Sequence, residues 1–250
     1  MNGPTTLEVQ IVACADAWSP DGEILASPTG AIPRLGAGLA KLTSNPDLLL
    51  TDGEARLVDA PVPLGADASD VAIEGWMPFR HIFDHIWNGR RHVMMSAAQI
   101  DQYGNTNISC IGDWRKPTAQ LIGMRGAPGN TAYHVCSYWI PKHTPRVFVD
   151  QVDVVSGLGY EPSCEATRAT LPHHEIRRVI TNLAVLDFES PDRRMRLRSV
   201  HPGVRVDTVV EQTGFELVVP DDVPTTRAMT PQEHQLIDDV LDPHGQRLHA

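Results

Sequence analysis

Three short clusters hold the side chains from which chemistry could be built. The first is Ala98-Gln99-Ile100-Asp101-Gln102-Tyr103-Gly104-Asn105-Thr106-Asn107. Four amides (Gln99, Gln102, Asn105 and Asn107) surround the Asp101 carboxylate, and Gly104-Asn105 supplies residues that tolerate positive φ where a chain reverses. This is either a solvent-exposed hairpin or a hydrogen-bonding surface, and it has more amides than a hairpin needs. The second cluster, Thr51-Asp52-Gly53-Glu54-Ala55, follows the apolar run Leu48–Leu50. Ligands of open parallel sheets sit beyond the carboxyl ends of strands, so Asp52 and Glu54 stand where a carboxylate nucleophile would act; a solvated acidic turn fits equally. The third is Gly123-Met124-Arg125-Gly126-Ala127-Pro128-Gly129-Asn130. Gly123, Gly126 and Gly129 let the backbone approach a ligand and present N–H groups to an oxyanion or phosphate. The fixed donor fork of Arg125 suits a carboxylate or an enolate oxygen, or else an ion pair with a neighbouring acid.

Other chemistries are disfavoured by spacing. No Gly-Lys-Ser/Thr ending follows the glycines, so they do not form a nucleotide phosphate loop. His173-His174-Glu175 is not HExxH, since adjacent helical residues point about 100° apart, and His134, His143 and His201 are isolated. No metal is expected. No Gly-x-Ser-x-Gly elbow occurs, and Ser137 and Ser156 lack a nucleophile's context. Arg193, Arg194, Arg196 and Arg198, near Asp187 and Asp192, read as a solvated edge.

The elements that must position these clusters alternate between helix and strand, which predicts a three-layer α/β fold: an open, mostly parallel sheet with flanking helices. Thr5-Thr6-Leu7-Glu8 has capping-box spacing and opens a helix through Leu7, Ile11 and Ala15 that ends by Gly22. Glu23–Ala26 is a short strand. Pro33 opens a second helix with Leu35, Leu39 and Leu42. Leu48–Leu50, continuously apolar, reads as a buried parallel strand, and residues 60–70 as a Pro/Gly-rich loop. Phe79, Ile82, Phe83, Ile86 and Trp87 follow helical spacing up to Gly89, and their aromatics suit a core or a subunit contact better than a cofactor box. Further strands are expected at Val93–Ala98, Leu121–Met124, His134–Ile140, Val147–Val149 and Val179–Phe188. A helix from Val204 to Thr213 closes the core. Thr230 and Pro231 open a last helix carrying Leu236, Ile237, Val240 and Leu241.

A chain of 250 residues with 42% apolar content suits one substantial core, and a single domain over residues 1–250 is expected. No apolar run approaches the ~20 residues that span a bilayer, and Met1–Glu8 shows no basic-then-apolar leader. Cys14, Cys110, Cys136 and Cys164 form no CxxC pair and read as reduced thiols of a cytoplasmic protein. The formal charge of −10 argues against nucleic acid or anionic membrane as partner.

The order of these motifs resembles the β subunit of the class I coenzyme A transferases, the glutaconate CoA-transferase branch in particular. The segment Ala98–Asn107, then Ile111-Gly112-Asp113, then Gly123-Met124-Arg125-Gly126-Ala127 are the family's A-Q-[IV]-D-x-Y-G-N-x-N, I-G-D and G-x-x-G-A. Downstream, His201-Pro202-Gly203-Val204 and Glu211-Gln212-Thr213-Gly214-Phe215 are similar to its closing helix and glycine stop. Within the family the likeness is greatest to the actinobacterial branch that hydrolytically opens a cyclic β-oxo acyl-CoA in cholesterol breakdown. The resemblance implies the CoA-transferase fold, an α subunit as obligate partner in a heterodimer or α2β2 heterotetramer, an active site between the subunits, and no cofactor beyond the CoA carried by the substrate. It also sets the glycine turn against the acyl-thioester end, with Asn130 and Tyr133 on the same wall and Gln99, Asp101 and Asn105 orienting it. The Arg193–Arg198 run then offers charge to CoA phosphates.

The family's transferases carry a nucleophilic glutamate in a Glu-Asn-Gly or Glu-x-Gly setting, where this chain has Asp52-Gly53-Glu54. That departure implies that the main catalytic carboxylate lies on the partner and that the reaction is hydrolysis, with Arg125 stabilising the enolate or oxyanion. The rival expectation is CoA transfer through Glu54 or Asp52. A non-enzymatic subunit that keeps only the fold is the third.

Overall fold

In the computed structural model, residues 5–87, 90–171 and 173–249 are described. The fold is mixed α/β with a mostly parallel central sheet. Its contacts separate two compact units, Met1–Met94 with Arg227–Ala250, and Met95–Thr226.

In the first unit, Thr5 caps the helix Thr6–Trp18 through the expected box, its N–H donating to Glu8 Oε2 at 2.7 Å. The next helix, Ala31–Leu42, starts two residues before Pro33. It crosses the first so closely at Gly36 that a Cβ there would stand 2.4 Å from Cys14 Cβ. The strand Leu25–Pro28 pairs in parallel with Arg91–Met95. Beneath it the His92 ring is 2.6 Å from Asp21 Oδ2, both side chains buried.

The run Leu48–Leu50 is only partly the parallel strand expected of it. Leu49 bridges Leu25 in parallel, but Leu50–Thr51 turns antiparallel onto Arg56–Val58, which pairs with Ile73–Trp76. Gly53, at φ +92°, makes that reversal possible. The helix Phe79–Ile86 is present, while its expected stop at Gly89 lies outside the described residues. At the C-terminal end, Thr230 and Glu233 form a second capping box for Pro231–Leu236, and the helix runs on as a wider turn over Ile237–Leu241.

The second unit is built on Val135–Ile140, parallel to Glu175–Thr181, followed by antiparallel Ala184–Asp187 and Arg196–Val200. Its core gathers Ile100, Tyr138, Phe148, Phe188 and Leu197. The single strand expected over Val179–Phe188 is therefore a hairpin. Thr181 Oγ1 accepts from Leu183 and Ala184 N–H and closes a turn that the apolar flanks conceal in the sequence. Leu121–Met124 is not a strand: the short pair is Cys110–Ile111 with Ala119–Gln120, and Gly123 at φ +82° ends extended structure. Val147–Val149 contributes one bridge, Ile100 to Phe148. Val93–Ala98 is divided, with Arg91–Met95 ending before Gln99–Ile100 begins. The helix Val206–Glu211 lies within its expected span. Among the described residues no helix is long and apolar enough to cross a membrane.

Candidate functional site

The three clusters fall in both units, the acidic loop in the first and the other two in the second. In the acidic loop, Asp52 Oδ1 accepts from the N–H groups of Glu54, Ala55 and Arg56 at 2.8, 3.0 and 3.1 Å. Burial pulls the Asp52 pKa up, but those three bonds and the nearby Arg56 outweigh it and hold the carboxyl below its ordinary value. Asp52 is thus an anion engaged in folding its own loop, with its side chain 7% exposed. Glu54 sits at the tip with an exposed side chain.

In the second unit the amide-rich motif folds as the turn its glycine implies: Gln99–Ile100 pairs antiparallel with Thr106–Asn107 and Gly104 takes φ +81°. The side chains of Gln99, Asp101, Asn105, Thr106 and Asn107, however, are buried, while Gln102 stays near the surface. Gln99 donates to Asp153 Oδ2 at 3.0 Å and accepts from Asn107 Nδ2 at 2.7 Å and from the Asp153 N–H at 3.0 Å. Asp101 Oδ1 accepts from Tyr103 and Asn105 N–H, and its Oδ2 accepts from Asn105 Nδ2, each at 3.0 Å. Asn105 Oδ1 accepts from Gly159 N–H at 2.8 Å. Burial is the largest influence on Asp101 and, with Glu161 nearby, outweighs these bonds, pushing its pKa up to about 6. The motif is a buried hydrogen-bonded frame, and such a frame fixes loop geometry because an unmet buried polar group is costly.

The frame also identifies residues that sequence reasoning passed over. Asp153 Oδ2 takes a second bond, from Gly112 N–H at 2.8 Å, and so ties the Cys110–Gln120 hairpin to Gln99. Ser156, set aside as a nucleophile, bonds Ser109 at 2.7 Å in the interior. Nothing local marks Asp153, which is distant in sequence from Gln99. The pair Gly157 and Gly159 is a visible signal of close approach.

The glycine turn is where exposed chemistry remains. Arg125 is exposed and sits at φ +51°, a region costly for a side chain of its size. Its Nε donates to Ile122 O at 2.9 Å, which anchors the guanidinium and leaves four of its five donors for another acceptor. No carboxylate among the described residues pairs with it. Gly123, Gly126, Gly129, Asn130 and Tyr133 are all partly accessible, and the helix Ala127–Tyr133 carries the last three.

The remaining sequence candidates are largely structural. His143 is stacked 3.7 Å from Phe148 with both ring nitrogens on threonine hydroxyls, and burial pushes its pKa down to about 3. His201 bridges Thr181 O and the Thr226 hydroxyl. In the basic run, Arg196 and Arg198 both reach Asp187 and Glu189, and Arg194 pairs with Asp192. Arg193 lies over the Tyr160 ring, 5.4 Å from its centroid.

Comparison with known proteins adds the following. The family model described as coenzyme A transferase matches residues 82–212. The chain is 50% identical over 243 residues to the cholesterol ring-cleaving hydrolase IpdB subunit of Rhodococcus jostii, covering 97% of this chain and 94% of that one. It is 46% identical to the protein of that name in Mycobacterium tuberculosis, covering 97% of each. The crystal structure of Rhodococcus jostii IpdAB superposes with a TM-score of 0.91 at 48% identity, covering 99% of this chain and 98% of that one.

Proposed function

The chain belongs to the coenzyme A transferase family, and we propose that it is the β subunit of a two-subunit hydrolase that opens the ring of a cyclic β-oxo acyl-CoA in cholesterol breakdown. The observation that carries this is likeness over nearly the whole chain to the IpdB subunit of a ring-cleaving hydrolase. The α subunit of the same enzyme is its partner, in a heterodimer or α2β2 heterotetramer.

The local geometry supports hydrolysis over transfer. A carboxylate that attacks an acyl carbon must be held within about 3–3.5 Å of it. Asp52 is already engaged by three backbone donors, and Glu54 stands exposed at the loop tip. In our reading a carboxylate of the partner activates water. Hydroxide adds to the ring ketone, the bond to the α-carbon breaks, and the electron pair passes to the thioester enolate, which is then protonated. Arg125, anchored through Nε, stabilises the oxyanion or enolate. Gln99, Asp101 and Asn105 hold the hairpin behind it. The only non-protein group in this scheme is the CoA of the substrate. We place the enzyme in the cytoplasm, consistent with four free thiols.

Two measurements separate hydrolysis from CoA transfer. Ring opening in oxygen-18 water should put one labelled oxygen into the new carboxylate, with no thioester on this chain trapped by hydroxylamine or borohydride. Glu54→Gln should leave kcat within about a factor of three, because in this reading Glu54 forms no bond to the substrate. A trapped glutamyl thioester, with loss of turnover by several orders of magnitude in that variant, would establish transfer instead.

A further inference from the structure

Two of the described residues other than glycine take a positive φ, and both are arginines: Arg125 at +51° and Arg193 at +57°. The function proposed above uses the first. The second opens the basic run, and the structure sets it apart from the other three arginines there. Arg194 pairs with Asp192, and Arg196 and Arg198 pair with Asp187 and Glu189. Arg193 lies instead over the ring of Tyr160, 5.4 Å from its centroid, where Arg168 of the short helix Glu165–Arg168 joins it at 5.5 Å. Among the described residues neither guanidinium has a carboxylate partner. Arg168 donates to the main-chain O of Glu161 at 3.5 Å, while the Glu161 carboxylate accepts from Asn105 Nδ2 at 3.5 Å.

Two such arginines on one aromatic ring stand out in a chain of formal charge −10. Like charges repel, a cation–π contact at an exposed site returns little, and Arg193 adds the cost of its φ. Their field reaches His174, whose pKa is lowered first by burial and further by Arg168 and Arg193. Tyr160 is a fixed support, buried and with its hydroxyl accepting from the Ile176 N–H at 2.6 Å. Arg168 is half-buried and Arg193 exposed, so a ligand can reach the pair. An arrangement costly when empty becomes favourable once an anion occupies it. The two guanidinium carbons stand no further apart than twice their distance to the ring. One carboxylate would neutralise half of the charge, whereas a ligand with two or more phosphate groups neutralises both, through the paired donors that suit phosphate. We propose that Arg168 and Arg193 bind the phosphate groups of the substrate's CoA, at the end remote from the thioester. The occupant rests on the reading above, and the connections within this unit agree with it. The His174 ring, 5.0 Å from that of Tyr160, donates through Nδ1 to Thr131 O at 2.6 Å. Thr131 lies on the helix Ala127–Tyr133 that follows the Arg125 turn, so one short helix joins the acyl end to the phosphate end.

The test is binding to the assembled αβ pair, measured by calorimetry with free CoA and, separately, with inorganic pyrophosphate. Arg168→Gln and Arg193→Gln are each expected to weaken CoA binding about 10-fold and the double variant about 100-fold, with a shallower dependence of affinity on salt. In the steady state KM for the acyl-CoA should rise by similar factors while kcat holds, because the thioester end is untouched. Arg205→Gln removes an equal charge from an exposed ion pair with Asp207 and should change affinity less than about twofold. Melts of the isolated chain should not fall for either single variant, which separates a binding loss from a folding loss. Unchanged CoA affinity in the double variant would overturn the proposal. Loss of pyrophosphate binding with CoA affinity intact would overturn CoA as the occupant and mark a site for free phosphate. Failure of the ring-opening reading shows differently: an unaltered pair that binds CoA through these arginines yet opens no ring leaves this inference standing.

Discussion

Arg125→Gly in the assembled enzyme is expected to lower kcat by about 10²–10³-fold while the melting temperature of the chain holds or rises. The activity loss is that of removing one preorganised donor from a developing oxyanion. The stability expectation comes from the backbone. At φ +51° an arginine is held in a conformation that costs on the order of 1–3 kcal/mol, which glycine adopts freely. Glycine gives part of that back through the entropy of the unfolded chain, so the net change is small or favourable. A residue that harms the fold and helps the reaction is the pattern expected where strain is kept for function. Arg125→Lys, which retains charge without the planar fork, should recover only part of the rate. Steady-state kinetics of the reconstituted pair, together with melts of the chain alone, measure both halves. Unaltered turnover by Arg125→Gly would remove this residue from the mechanism.

Gly159→Ala is expected to destabilise the chain by about 3 kcal/mol, the upper part of the range for forced overpacking. An added Cβ would stand 2.4 Å from Tyr103 O and Asn105 N and 2.6 Å from Gly104 C. These are backbone atoms of the amide-rich hairpin and cannot rotate away. The substitution would also disturb the 2.8 Å bond from Gly159 N–H to Asn105 Oδ1 and, through Asn105, the partners of Asp101. Urea unfolding of the isolated chain measures it. A change below about 1 kcal/mol would show that the hairpin yields to the methyl group, and that the frame is looser than these distances imply.

Local signals in the sequence were reliable where one turn of helix or one tight reversal decided the structure. The capping boxes at Thr5 and Thr230 depend on side chains three residues apart, and both form. Gly104 was legible as a reversal for the same reason. Pairing was less legible, because it is decided between distant segments. Leu48–Leu50 looked like one parallel strand, yet a glycine just beyond it sends Leu50, the last of its three residues, into an antiparallel hairpin. The apolar stretch over Val179–Phe188 concealed a turn because both of its arms are buried.

At the site, residue types were legible but the direction in which they face was not. Gln99, Asp101 and Asn105 could equally have lined a ligand or an interior, and only Asp153, Gly112 and Gly159, distant in sequence, show that they face inward. Asp52 presented as a nucleophile carries the same lesson: its carboxylate is occupied by the loop that displays it. Arg125 is the one charged side chain of the glycine turn, and its positive φ and Nε anchor, neither legible in the sequence, hold its donor fork in place.

The most direct measurement is turnover of a cyclic β-oxo acyl-CoA by each purified subunit alone and by their equimolar mixture. Neither chain by itself should open the ring, and mixing should restore full activity at the stoichiometry at which the pair assembles. Ring opening by this chain unaided, at a rate comparable to the mixture, would contradict the account.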